Sequence, residues 1–274
     1  MNLEEESEKR LDLNDHIILE LDILGYRNLI QEDDETRILR QFDLMVTTVK
    51  KDIAGIHDIN NTIHWKMYSD NFLIYAQLPT NENLKYATIM GVLLLGCKLQ
   101  YRLITDFGYM SRGGCCFGKL HVDETYVFGS GLVEAHNLEI EHKEPTISVA
   151  QDVVEYLSHR ESNFPDTVES KSFIRKKDNS LFVDYLNFII VITRKYVNTD
   201  EWINHTIHDH RNAYETKLRP RLINSIERNK NNENEVYKLN YKNKWFINYH
   251  NTICTENCFF NEMIKASDLN DLTN

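Results

Sequence analysis

Residues 16–22 read HIILELD. Side chains alternate across a strand, so Ile17, Leu19 and Leu21 share one face while Ile18, Glu20 and Asp22 share the other. This spacing predicts a buried strand, and Gly25 places its terminating turn just beyond Asp22. Downstream, Ile38, Phe42, Met45, Val46, Val49 and Ile53 recur at helical spacing and predict an amphipathic helix over 35–54. Two strands, 62–69 and 71–78, flank Ser69-Asp70-Asn71 and form a hairpin. A long apolar helix over 82–105, strands at 110–117 and 122–128, and a helix over 129–142 complete the first half. The order β-α-β-β-α-β is the ferredoxin-like split βαβ pattern.

The expected fold class is therefore α+β, with a mostly helical C-terminal extension. All ten glycines lie between Gly25 and Gly131, so the tight turns and close approaches belong to the N-terminal half. A boundary is expected near Glu144-Pro145, giving a core over 1–144. The extension over 145–274 completes the sheet and adds helices. It carries a strand at 146–150, a hairpin around Asp178-Asn179-Ser180, and helices near 184–197, 206–228 and 236–249. Asn229 to Glu235 (NKNNENE) reads as a loop.

Composition excludes several classes. With 42% apolar and 27% charged residues among 274, the chain is globular. Its formal net charge of −11 makes a non-specific nucleic-acid coat a poor reading, because phosphate binding needs a basic surface. The longest apolar run, Met90 to Cys97, is far short of the roughly 20 residues that span a bilayer, so no membrane partner is expected. MNLEEESEKR is too acidic for a signal peptide, so a cytoplasmic setting is expected. The five cysteines, Cys97, Cys115, Cys116, Cys254 and Cys258, are then expected as reduced thiols, and no CxxC pair suggests zinc.

Asp22 ends an inner strand and Asp70 sits in the turn of the neighbouring hairpin. In a split βαβ sheet these two places lie side by side. Two carboxylates there suit hard cations such as Mg²⁺, which take oxygen ligands and keep waters for substrate phosphates. Paired metals can activate a hydroxyl and stabilise a leaving oxygen. Either aspartate alone reads as a strand end or a turn residue; the pair in this topology reads as a metal site.

The runs LDILGY (21–26), KMYSDNFLI (66–74), RGGCCFG (112–118) and FGSGLVEAHNLE (128–139) together resemble the class III nucleotide cyclases. Within that superfamily they are most similar to the Pycsar pyrimidine cyclases of bacterial anti-phage defence. FVDYL (182–186) and KNKWFINYHN (242–251) resemble the extension of that branch. The resemblance implies that Asp22, Asp70 and the backbone carbonyl of Ile23 hold two divalent ions, Mn²⁺ or Mg²⁺. It implies that Lys66, Tyr68, Tyr126 and Tyr26 bind the substrate, with Lys66 and Tyr126 at the base-selecting positions. Arg112 is the implied phosphate clamp, through its fixed donor fork. The implied reaction converts UTP, or CTP, to the 3′,5′-cyclic monophosphate and pyrophosphate. It would occur in a homodimer whose product activates a separate effector protein.

The chain departs from the purine cyclases at two helix positions. An asparagine and, four residues later, an arginine steady the transition state in those enzymes; Val133 and Asn137 stand here. Pro145-Thr146-Ile147 stands where relatives often carry Pro-Arg-Ile. These departures favour a rival, a degenerate cyclase that only binds nucleotide or dimerises. A diguanylate cyclase or a CRISPR-type oligoadenylate synthase ranks third, because Tyr68-Ser69-Asp70-Asn71 lacks their GGDEF- or GGDD-like turn.

Three weaker features read as structural. His205, His208 and His210 fit a solvated helix start better than a metal pair. Cys115-Cys116 fits small-residue packing beside glycines better than a nucleophile. Trp245, Phe246 and Tyr249 read as core or interface contacts.

Overall fold

The computed structural model describes residues 13–26, 35–54, 62–141, 144–163, 170–177, 180–197 and 200–265. The elements are β1 (Asn14–Ile23), α1 (Glu35–Ala54), β2 (Ile63–Tyr68), β3 (Asn71–Gln77), α2 (Glu82–Phe107), β4 (Ser111–Val122), β5 (Val127–Phe128) and α3 (Ser130–Glu141). They continue as β6 (Ile147–Val149), α4 (Gln151–Asn163), β7 (Ile174–Lys177), β8 (Ser180–Val183), α5 (Tyr185–Tyr196), α6 (Asp200–Ala213), α7 (Arg219–Arg228) and α8 (Glu233–Glu256).

β1 is an inner strand, antiparallel to β3 on one side and β4 on the other. The order β2-β3-β1-β4 is the split βαβ arrangement. β6, β8 and β7 extend the same sheet beyond β4, and β5 pairs with β4 off that path. The alternation in HIILELD determines which way β1 faces. Ile17, Leu19, Leu21 and Ile23 join the main core with Ile38, Phe42 and Met45 of α1 and Val92, Leu93 and Leu99 of α2. The side chains of Val49 and Ile53 lie outside the described ones. Ile18 points to the opposite face, into a small cluster with Leu73, Cys116, Leu120 and Ala135 under α3. One face is thus fully covered by α1 and α2. The other is covered only in part, by α3.

α2 begins on Asn81, whose side chain accepts the Asn83 and Leu84 amides at 3.0 and 3.1 Å. It is long and apolar enough to cross a bilayer, but 67% of its most apolar stretch is buried inside the protein, between the sheet and the C-terminal helices, as a core helix requires. Ile147, Val149 and Val183 join the same cluster as Ile17, so one core crosses residue 145.

Several boundaries differ from the sequence reading. The strands expected at 110–117 and 122–128 are one twelve-residue strand plus the two-residue β5. Its glycines do not break it; they admit α3, because a Cβ on Gly114 would strike the Ala135 carbonyl. The helix expected over 206–228 is α6 and α7, joined by a π-turn at Tyr214–Leu218. Pro220, with no amide hydrogen and a ring that crowds the preceding turn, accounts for that interruption. α4 was not anticipated, although Val153 and Leu157 give it a buried stripe. The expected loop over 229–235 is shorter: Asn232 caps α8 by accepting the Glu235 amide at 3.3 Å. Asp178 and Asn179 lie outside the described residues, and β7 and β8 pair antiparallel on either side of them.

All five cysteines are free, four of them buried. Burial pushes the Cys116 thiol up to about 12, which suits packing rather than nucleophilic chemistry. His205 and His208 are exposed beside Asp209 and Glu262, whereas His210 is fully buried. Phe246 is fully buried, and Trp245 stacks on Tyr249 at 5.0 Å.

Candidate active site

A single row of the sheet carries the polar centre. Register pairs Tyr68 with Asn71, Asn71 with Asp22, and Asp22 with Arg112, so four strands contribute adjacent positions on the partly covered face. Asp70 precedes Asn71 in the β2–β3 turn. That turn is clamped to the end of β1 by the Ile23 amide, which donates to the Asp70 carbonyl at 3.2 Å. Gly25, at φ +86°, takes the left-handed conformation that turns the chain away just after. The local structure therefore brings the Asp22 and Asp70 carboxylates together, with the Ile23 backbone between them.

Holding two carboxylates together in a half-buried place is unfavourable. Burial, then the charges of Glu139 and Asp70, push the Asp22 carboxyl up to about 7, although Arg112 opposes them. Clustered, poorly solvated anions are a donor set that a divalent cation would satisfy. Among the described residues no group of three or more His, Cys, Asp or Glu side chains surrounds a metal-sized site. A cation here would take two aspartates and a backbone carbonyl, completed by water and substrate.

Arg112 is not a free clamp. Its Nε donates to Glu139 Oε1 and lies 3.9 Å from Asp22 Oδ2. Glu139, on α3, is only 2% exposed and also meets His136 Nδ1 at 3.1 Å. His136 in turn lies 3.8 Å from Glu20 Oε2. Glu20 accepts the Tyr68 hydroxyl at 2.9 Å. Burial raises the Glu20 carboxyl, against the pull of that hydrogen bond. Glu20 and Glu139 form an inner acidic layer under the row, and Arg112 ties it to Asp22.

The remaining sequence candidates sit along the same face. Lys66 lies in the next row, opposite Leu73, which pairs with Glu20. Its ammonium donates to the Asp123 carbonyl. The Asp123 carboxylate accepts the Thr125 and Tyr126 amides at 2.6 and 2.9 Å. Lys66 and Tyr126, far apart in sequence, are thus joined through the β4–β5 turn. Tyr126 is 46% exposed, with its ring 5.4 Å from that of His121. Tyr26 packs edge-on against Phe42 at 5.6 Å and lines a cleft at the end of β1. Val133 and Asn137 are exposed on α3.

Sequence reasoning missed Glu139. The available signal was its phase: Gly131, Ala135 and Glu139 are the buried positions of α3, four residues apart, and a carboxylate on such a stripe demands a partner. It also missed Lys242 of α8, which lines the cleft beside Tyr26.

No family model matches this chain, and no curated protein matches it. Solved structures do. The adenylyl cyclase CyaB from P. aeruginosa is 12% identical, over 54% of this chain and 82% of its own, at a TM-score of 0.44. The monomeric guanylyl cyclase domain of the RhoGC fusion protein from the aquatic fungus Blastocladiella emersonii is 10% identical, over 62% and 94%, at 0.46. The adenylate/guanylate cyclase/hydrolase from Silicibacter pomeroyi is 18% identical, over 63% and 96%, at 0.39. None of these reaches a TM-score of 0.5, so the chemistry of the site stands on the residues described above.

Proposed function

We propose that this chain is a nucleotidyl cyclase that converts a pyrimidine nucleoside triphosphate, UTP ahead of CTP, to the 3′,5′-cyclic monophosphate and pyrophosphate. The observation that carries this reading is the clamped pair Asp22 and Asp70, two carboxylates held together against their own repulsion at the end of β1. A divalent cation bound there supplies Lewis-acid activation of the ribose 3′-hydroxyl and charge neutralisation at the departing pyrophosphate. The protein's own share is positioning. Arg112, fixed by Glu139, offers its remaining guanidinium donors next to Asp22. Lys66 and Tyr126 frame the base end, where an aromatic ring narrows the space and offers a stacking face that suits a one-ring base. A site whose polar groups fit one base rejects analogues that leave those groups unpaired.

A homodimer is part of the proposal. Tyr126, Phe128, Val133 and Ile140 are between 46% and 64% exposed on and around α3, beside the partly covered face. A second copy would bury them and bring its base end to this chain's aspartates. The cyclic nucleotide would act as a second messenger on a separate effector in anti-phage defence, as the motif resemblance implies.

The test is incubation with UTP, CTP, ATP and GTP at equal concentration and Mn²⁺ or Mg²⁺, read by mass spectrometry. Cyclic UMP as main product, with cyclic CMP second, supports the proposal. Cyclic AMP or cyclic GMP as main product overturns the pyrimidine assignment. No cyclic product from any substrate favours the rival, a degenerate nucleotide-binding module, for which the exposed Val133 and Asn137 are the specific observation.

A further inference from the structure

α8 brings one basic side chain to the end of β1. The cleft there has a volume of about 110 Å³, lined by Ile23, Leu24 and Gly25 on the strand side and by Lys242 and Arg221 on the helical side. Pockets that enclose whole small molecules run to roughly 300–1,000 Å³, so this one suits a terminal group of a larger ligand. Its strand wall is the segment that follows Asp22.

The two cations differ in what holds them. The Arg221 guanidinium lies 4.3 Å from the centre of the Tyr109 ring and donates to the Phe107 carbonyl at 3.4 Å. The Lys242 ammonium makes no hydrogen bond or ion pair with any described residue. Glu235, which also lines the cleft, is engaged by Lys238 at 2.6 Å. Burial holds Lys242 below its ordinary pKa, and the opposing charges of Glu235 and Asp22 do not restore it. The helix beneath is rigid: Asn243 is buried and accepts the Tyr214 hydroxyl at 2.7 Å, and Phe246 and Ile247 are fully buried. An under-neutralised ammonium that shares its cleft with a second cation, next to the Asp22 turn, is a receptor for an anion. The exposed α3 helix, with Val133 and Asn137, offers no cation at those positions.

We propose that Lys242 is a phosphate-binding residue of the active site, contacting the terminal phosphates of the nucleoside triphosphate and the departing pyrophosphate. The identity of the ligand rests on the cyclase reading; the anion site itself does not. The C-terminal helices would thus complete the site from within the same chain.

The experiment is calorimetric titration of the full chain with inorganic tripolyphosphate and with pyrophosphate, in the presence of Mg²⁺. Neither probe has a base or can cyclise. Wild type is expected to bind, Lys242→Met to bind about tenfold more weakly, and Lys242→Arg to stay within about threefold. In the cyclase assay, Lys242→Met should raise KM for the triphosphate more than it lowers kcat. Should Lys242→Met lose its circular dichroism signal, acetic anhydride footprinting of wild type replaces it: tripolyphosphate should protect Lys242 and leave Lys238 reactive. Unchanged affinity in Lys242→Met, no binding by wild type, or equal labelling with and without tripolyphosphate overturns the proposal. A wild type that binds tripolyphosphate through Lys242 but makes no cyclic nucleotide overturns the reaction and retains the phosphate site.

Discussion

Asp22 and Arg112 are registered partners across β1 and β4, with Nε 3.9 Å from Oδ2, and the same guanidinium is tied to buried Glu139. The cation paired with Asp22 is therefore held from beneath by α3. This arrangement separates the stability of the site from its chemistry.

Asp22→Asn and Asp70→Asn should each lower turnover by more than about a hundredfold, since each removes a ligand charge from a site whose catalysis is positioning and electrostatics. The fold should survive. Asp22→Asn relieves repulsion from Asp70 and Glu139, so its melting temperature should not fall. Circular dichroism and a rate measurement on the same preparation check both. A variant that keeps a tenth of the wild-type rate would sink the two-aspartate site.

Arg112→Ala strands Glu139 in the interior with His136 alone. Leaving a buried carboxylate without its cation costs about 1–3 kcal/mol, and denaturant unfolding should show it. The double variant Arg112→Ala/Glu139→Gln should recover most of that stability but none of the activity. Full recovery of activity would show that Arg112 is only structural.

Mixing inactive variants tests the shared site. Asp22 and Arg112 are neighbours within one chain, so Asp22→Asn mixed with Arg112→Ala should stay inactive. Asp22→Asn mixed with Lys66→Ala should recover about a quarter of the wild-type rate, because half the dimers are mixed and each holds one intact site. No recovery in the second mixture would place both ends of the site in one protomer.

The buried histidine pair contributes an acid-sensitive share of the stability. His250 Nε2 donates to the Glu262 carbonyl at 2.8 Å, so its Nδ1 is bare and accepts His210 Nδ1–H at 2.9 Å. His210 Nε2 then accepts the Tyr185 hydroxyl at 2.7 Å. Both rings are neutral in this chain of bonds. Burial lowers the pKa of His250 to about 4 from its ordinary 6.5, and lowers that of His210 as well. Between those values His250 binds more protons in the unfolded chain, so its own contribution to stability is complete above about pH 6.5 and falls as pH drops toward 4, while Asp22, raised to about 7, contributes with the opposite sign over the same window. The loss attributable to His250 reaches about 3 kcal/mol at the lower end. Thermal unfolding of wild type and His250→Gln side by side across pH 4–8 isolates the histidine: wild type should lose stability relative to the variant as pH falls from 6.5 toward 4. An unchanged slope in that variant would assign the acid sensitivity elsewhere.

Local pattern carried the elements and the aspartates. The alternation in HIILELD set Ile17, Leu19 and Leu21 on one face and Asp22 on the other, because successive side chains of a strand point to opposite sides. The 3.6 periodicity of 35–54 gave α1 its bounds, and the turn at Ser69-Asp70-Asn71 put Asp70 beside Asp22 once the strand order was known. Long-range packing decided the rest. RGGCCFG reads as part of a strand, but only the packed structure shows that Gly114 and Gly118 serve the close approach of α3, which delivers Glu139 to Arg112. Lys66 meets Tyr126 only through the β4–β5 turn. Lys242 reaches the cleft at the end of β1 because α8 packs beside α7, 220 positions beyond Asp22 in the numbering. Periodicity records which face of its own element a residue occupies. Which charges finally share one low-dielectric space depends on how distant elements close over each other, and no window of sequence contains that distance.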